Sequence, residues 1–78
     1  MDAYERLAIG IVTQAAEDYR RAQLRFRRAK PDSDDQLHAI GDIRVLERFF
    51  RSEWGNALAF GKGEIILEEL KKECGKYG

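Results

Sequence analysis

The 78-residue chain has little of several residue types, and each shortage excludes a class of protein. Its one cysteine, Cys74, allows neither an intramolecular disulfide nor a cluster of thiolates around a metal. Its one histidine, His38, cannot form a metal site unaided, and no serine or cysteine is placed to act as its nucleophile. We therefore expect no enzyme, no metal and no cofactor. Cys74 lies near the end of an amphipathic pattern and is interpreted as a small core residue.

The chain also lacks an excess of either charge and any long apolar run. Lys plus Arg and Asp plus Glu number 14 each, so net charge makes no case for nucleic acid or membrane. No stretch approaches the roughly 18 apolar residues of a membrane span. The early Asp2 and Glu5 are unlike the basic start of a signal peptide. The sequence thus predicts a cytoplasmic protein of one domain over residues 1–78.

Two long helices account for most of the chain. Apolar residues keep helical spacing from Tyr4 to Phe26. Asp2 is placed to cap this helix and Pro31 to stop it, which predicts a helix over about 3–30. A second helix is predicted over about 34–54, with Ser33 as its cap and Gln36 as the reciprocal partner. The short connection predicts that the two helices fold back on each other antiparallel.

A shorter helix is predicted over about 64–74. Ser52 could cap a short turn that ends near Phe60, and Gly61-Lys62-Gly63 has the composition of a hinge. Gly75 is expected to cap the third helix at its C-terminus. The predicted fold is all-α: a long antiparallel helical hairpin, closed by a short turn and a third helix, forming a three-helix bundle.

Two features of this arrangement concern helix contacts. Gly10 and Gly41 fall inside helices, where glycine costs about 1 kcal/mol relative to alanine, and we expect them to permit close helix approach. The run from Leu7 to Val12 is apolar on all sides of its helix, and one short helix does not cover it. A homodimer is therefore an open alternative to a monomer.

An arginine-rich face is the strongest charge feature. Residues 20–30 hold six cations and no anion, and the second helix adds arginines at helical spacing. Guanidinium groups suit bidentate contact with phosphates, so the face is a candidate site for nucleic acid or another partner. The competing interpretation is a solvated face that complements the helix dipole. The candidate residues are Arg20, Arg21, Arg25, Arg28, Arg44 and Arg48.

Acidic and aromatic residues give weaker signals. Asp32, Asp34 and Asp35 lack the glycine and terminal glutamate of a calcium loop, and helix capping explains them. The aromatic residues of the segment 47–54 are expected to centre the core, with Phe50 and Trp54 on one helix face. Any aromatic left exposed would mark a partner site. The candidate apolar interface consists of Phe49, Trp54 and Phe60.

The segment Glu47-Arg48-Phe49-Phe50-Arg51-Ser52-Glu53-Trp54 also carries a resemblance, together with the segment Gly63-Glu64-Ile65-Ile66-Leu67-Glu68-Glu69-Leu70. Both resemble a family of small uncharacterised helical proteins encoded by prophages and other mobile elements of Gram-positive bacteria. The chain departs from that pattern at Gly55, where another aromatic is expected, and at Lys62, where an acid is expected. These departures concern the junction to the third helix.

The resemblance implies a protein of the bacterial host cell, but it assigns no activity to any residue. The leading hypothesis is a non-enzymatic phage or mobile-element accessory protein that binds an unidentified protein partner. One alternative is a nucleic-acid-binding module that uses the arginine-rich face. Another is a structural or assembly protein, which would associate with itself.

Overall fold

The computed structural model describes residues 2–75, and these form four α-helices. They are α1 (Ala3–Arg28), α2 (Asp34–Arg51), α3 (Glu53–Leu58) and α4 (Gly63–Gly75). Within this range there is no β-strand, which confirms the predicted all-α class. The structure adds one helix, α3, to the three that the sequence predicts.

Helix α1 begins as its sequence indicates and ends slightly early. The Asp2 side chain accepts a hydrogen bond from the Glu5 backbone N–H at 2.8 Å. The helix was predicted to reach residue 30, but Ala29 is already extended at ψ 151°. A residue that precedes proline disfavours helical backbone, and Lys30 precedes Pro31. The chain leaves the helix one residue earlier, at Ala29. The residues that α1 buries are alanines, except for one large residue, Tyr19.

The start of α2 confirms the predicted cap. The Ser33 hydroxyl accepts a hydrogen bond from the Gln36 backbone N–H at 3.2 Å. The Gln36 side chain reaches back one residue further than in a regular capping box and accepts from the Asp32 N–H at 2.8 Å. Asp34 and Asp35 lie in the first turn, where the helix dipole favours anions. Over residues 2–75 no cluster of three or more His, Cys, Asp or Glu residues could hold a metal ion.

The predicted end of α2 at residue 54 is wrong. Ser52 is extended, at φ −71° and ψ 159°, and serves as C-cap of α2 and N-cap of α3. Its hydroxyl donates to the Phe49 carbonyl at 2.7 Å and accepts from the Gly55 N–H at 2.9 Å. Because one side chain satisfies backbone groups of both helices, the break costs little hydrogen bonding. Trp54 therefore belongs to α3 and does not continue the stripe of Phe50.

Two of the glycines that follow this break, Gly55 and Gly63, lie directly against the end of α2. A Cβ atom on Gly55 would overlap the carbonyl oxygen of Phe49, and one on Gly63 would overlap that of Phe50. The Asn56 side chain accepts a hydrogen bond from the Gly63 N–H at 3.0 Å and so joins α3 to the first residue of α4. We call this region the glycine corner. Gly61 has a positive φ of 80°, as expected for a glycine in a hinge. Gly63 does not have a positive φ, and it is the first residue of α4.

The core lies between α1, the end of α2 and α4. Its buried members include Tyr19, Phe50 and Leu67, none of which exposes any surface. Cys74 is buried beside them, and burial, followed by the charge of Glu73, raises the pKa of its thiol. The thiol therefore stays protonated near neutral pH, in agreement with a small core residue. Gly75 lies within α4, and the residues that would follow it as a cap are outside the described range.

The other two helical glycines do not have their expected role within this chain. Apart from the adjoining backbone of its own helix, no described atom lies within 4 Å of a Cβ built on Gly10 or Gly41, so neither contacts a neighbouring helix of this chain. The reason is that both lie on exposed helix faces.

Candidate binding surfaces

The arginine-rich face is largely engaged with carboxylates of the same chain. Arg20 joins α1 to α4 through Glu73 at 3.0 Å, and Arg25 joins α1 to α2 through Asp42 at 2.8 Å. Arg21 lies 3.6 Å from Asp18 within α1 itself. These contacts place an anion beside each of the three guanidinium groups. The local field that would attract a phosphate is correspondingly reduced.

The other three candidate arginines are exposed and form no ion pair with any residue between 2 and 75. Arg44 and Arg48 line a shallow groove on α2 with Glu47 and Arg51. Arg28 lines a different groove, which it shares with Arg25 and Asp35. The six residues that share helical spacing in the sequence are therefore divided among separate grooves, and the two grooves lined by the unpaired arginines each include an acidic residue.

Arg27 is a basic residue whose role the sequence pattern did not reveal. Its guanidinium donates to the backbone carbonyl of Cys74, in the last turn of α4. A cation at that position complements both the helix dipole and the carbonyls left without intrahelical partners. Arg27 thus fastens the end of α1 to the end of α4. Only tertiary packing brings these residues, 47 positions apart, together.

The sequence pattern also did not predict a polar contact inside the packed region. The buried Tyr19 hydroxyl donates to Glu47 at 3.0 Å and accepts from the Gln23 side chain at 3.1 Å. Burial raises the pKa of Tyr19 to about 12; the bond from Gln23 acts in the opposite direction, and Glu47 adds to the increase. Lys71 of α4 lies 4.0 Å from the same Glu47 carboxylate. This cluster connects α1, α2 and α4 and has a structural role.

The three residues of the candidate apolar interface have different environments. Phe49 is partly buried and meets Phe50 edge to face, with ring centroids 5.4 Å apart. Trp54, expected on the core stripe, is instead 63% exposed. Phe60 is 55% exposed. The physical reason is the break at Ser52, which places Trp54 on α3 and turns it away from the face that Phe50 buries.

The backbone of Phe60 is as unusual as its exposure. The Gly61 N–H bonds to the Asn56 carbonyl at 2.8 Å and the Phe60 N–H to the Ala57 carbonyl at 3.1 Å. This is the Schellman pattern of a helix C-terminus, with Phe60 at the position that normally holds glycine. Its φ is 54°, in the left-handed region that disfavours residues with a Cβ. A large side chain thus occupies a strained position although more than half of its surface is exposed.

Trp54 and Phe60 flank the glycine corner, together with one aliphatic residue. Ile65 lies in the first turn of α4 and is as exposed as Trp54. Acidic residues accompany them: Glu53 precedes Trp54, and Glu64 precedes Ile65 and pairs with Arg51 at 3.3 Å. We call Trp54, Phe60 and Ile65 the aromatic patch. Such a group of exposed large apolar side chains favours a protein interface over a catalytic site.

No protein family, curated protein or solved structure that was compared with the chain matches it. None of the helices in residues 2–75 combines the length and the apolar character needed to cross a bilayer.

Proposed function

We propose that this protein is a non-enzymatic accessory protein of a prophage or other mobile element, which acts by binding another protein through the aromatic patch. In this proposal α1 and α2 form the long antiparallel hairpin, and α3 and α4 close it at the end that carries the patch. The mobile-element origin is supported by the sequence resemblance of segments 47–54 and 63–70. The binding role is supported by the geometry of the patch.

The conformation of Phe60 is the observation that carries the proposal. Backbone strain at a residue with no packing benefit is found preferentially at functional sites. Glycine at this position would relieve the strain, because it reaches positive φ without a steric penalty. Phenylalanine here therefore contributes something other than folding. A ring presented to a partner at the corner of the molecule is the simplest contribution of that kind.

The chemistry of the patch defines the partner that it fits. Trp54 and Phe60 supply the rigid aromatic area that dominates protein interfaces. Glu53 and Glu64 add negative charge at the rim, where charge steers association. The expected partner surface has apolar pockets or anchors flanked by lysine or arginine.

The test compares variants of the patch with a matched exposed apolar residue elsewhere. Phe60→Gly is expected to keep or raise stability, by up to about 1 kcal/mol in urea unfolding, because it removes the strain. Partners captured from a bacterial lysate and identified by mass spectrometry should be lost with Trp54→Ser and with Phe60→Gly. They should remain with Leu37→Ser, which changes another exposed apolar side chain, on α2.

Two results would contradict the proposal. One is a captured protein that binds Phe60→Gly and Trp54→Ser as well as it binds the unmodified chain. The other is retention of DNA or RNA that weakens steeply with salt and is lost in Arg44→Ala plus Arg48→Ala. That second result would mean that the protein binds nucleic acid through the exposed arginines of α2.

A further inference from the structure

A second apolar surface lies between α1 and α2, and none of its lining residues belongs to the aromatic patch. An open groove of about 570 Å³ separates the first half of α1 from the second half of α2. Leu7 and Val45, each 63% exposed, lie on its two sides. Ile11, Leu46 and Phe49 line it and are only partly buried. We call this surface the α1–α2 groove.

Gly10 also lines the α1–α2 groove, and this chain gives no packing reason for it. A Cβ at residue 10 would meet open space, so alanine would fit and would favour the helix by about 1 kcal/mol. Glycine leaves a notch in an apolar helix face, which allows the backbone of another helix to approach closely. The notch and the uncovered apolar residues lie in the same groove.

The charged residues along the groove indicate what kind of molecule it binds. Arg6 lies near one end and Asp18 near the other, 12 positions apart, which is about 18 Å along a helix. Arg6 is exposed and pairs with no carboxylate in residues 2–75. The exposed face of α1 also carries Asp18, which accepts a hydrogen bond from Gln14 at 2.9 Å and lies 3.6 Å from Arg21 of the same helix. An apolar face with a positive charge at one end and a negative charge at the other is complementary to a second copy of itself that runs in the opposite direction.

We infer that the α1–α2 groove binds a second copy of this chain, with the two α1 helices antiparallel about a two-fold axis near residue 12. In this arrangement Arg6 of each copy meets Asp18 of the other, so one symmetry operation makes two ion pairs. Gly10 of each copy lies opposite Gln14 of the other. Leu7 and Val45 become covered. A closed two-fold contact of this kind uses the same patch on both subunits.

The first experiment measures mass against concentration by sedimentation equilibrium and light scattering. The monomer has a mass of 9.0 kDa, and a concentration-dependent rise to twice that value is expected. Leu7→Lys plus Val45→Lys should weaken the dimer by more than about tenfold, because two lysines would be buried in an apolar contact. Both side chains are exposed in the monomer, so the fold should persist in circular dichroism.

The matched control is Ile9→Lys plus Leu37→Lys. It also changes one exposed apolar residue on α1 and one on α2, with the same added charge, but neither residue lines the groove. This control should dimerise as the unmodified chain does. A chain that remains monomeric at every concentration overturns the inference, and so does a dimer that persists in Leu7→Lys plus Val45→Lys.

A charge exchange tests the orientation directly. Arg6→Glu alone and Asp18→Lys alone each place two like-charged pairs in a homodimer, and each should associate several-fold more weakly. Mixing the two variants should restore a one-to-one heterodimer, because both cross pairs become attractive again. Failure of the mixture to associate overturns the antiparallel arrangement.

The dimer and the proposed function are separable in these experiments. Trp54→Ser and Phe60→Gly lie outside the α1–α2 groove and should leave the mass unchanged, whereas the groove variants should retain partner capture. If self-association disappears in the patch variants instead, the second copy binds at the aromatic patch and the groove inference fails.

Discussion

Glycines at the end of α2 and glycines within the long helices lie in opposite environments. Gly55 and Gly63 are buried against backbone carbonyls, and no larger residue fits at either position. Gly10 and Gly41 are exposed with open space around them. Within this chain, the same residue type is therefore a packing requirement in one region and borders open space in the other. Composition and spacing alone did not distinguish the two, and they assigned the close contact to the wrong pair.

The largest expected effect tests that contrast. Gly55→Ala and Gly63→Ala should each lower the free energy of unfolding by about 3 kcal/mol or more, since the new Cβ would displace the end of α2 from α3 or α4. Gly41→Ala, the matched change at an exposed position, should raise it by about 1 kcal/mol. Urea unfolding followed by circular dichroism measures all three. Equal effects at buried and exposed positions would contradict the packing of the glycine corner.

A second prediction concerns the packed side of the molecule at alkaline pH. The folded state raises the pKa of Tyr19 to about 12, whereas an unfolded tyrosine titrates near 10. The folded state therefore retains this proton more strongly, so its stabilising effect is complete below about pH 10 and is lost as pH rises toward 12. We expect a decrease of about 2 kcal/mol over this interval.

Tyr19→Phe should remove this part of the alkaline decrease, because no phenol remains to ionise. Tyr4→Phe, at an exposed position in the first turns of α1, serves as the control and should retain it. The measurement is urea unfolding at several pH values between 9 and 12. An unchanged pH dependence in Tyr19→Phe would show that other groups cause the decrease.

The smallest expected effect concerns the exposed ion pairs. Arg25 and Asp42 are each about half exposed at their 2.8 Å contact, so solvent screens the attraction. A double-mutant cycle with Arg25→Ala and Asp42→Ala should give a coupling below about 1 kcal/mol, decreasing with salt. A coupling of several kcal/mol would mean that the pair is far less solvated than its exposure indicates.

The prediction of the fold succeeded where hydrogen bonds are local. Asp2 and Ser33 cap their helices through residues three positions away, and the proline after α1 acts on its immediate neighbours. The prediction failed at residues 51–54, where an apolar stripe continues in sequence through a helix break. Ser52 is a cap by residue type, but choosing between a cap and a mid-helix serine required the packing of α3 against α2.

The candidate sites show the same division. The sequence identified Trp54 and Phe60 as candidates, but it could not say that they would be the exposed aromatics while Phe49 packs on the core. It identified six arginines by helical spacing, but not the carboxylates of Asp42 and Glu73 that engage two of them. Those partners lie 17 and 53 positions away from their arginines. No periodicity within a single helix encodes such contacts.

The sequence by itself determined the all-α class and the N-terminal caps of the two long helices. These follow from residue types and from hydrogen bonds within one helical turn. Tertiary structure alone decided which glycines are indispensable, which aromatics are buried and which arginines are engaged. The reason is that burial and charge pairing depend on neighbours distant in sequence, and only the packed helices bring those neighbours within contact distance.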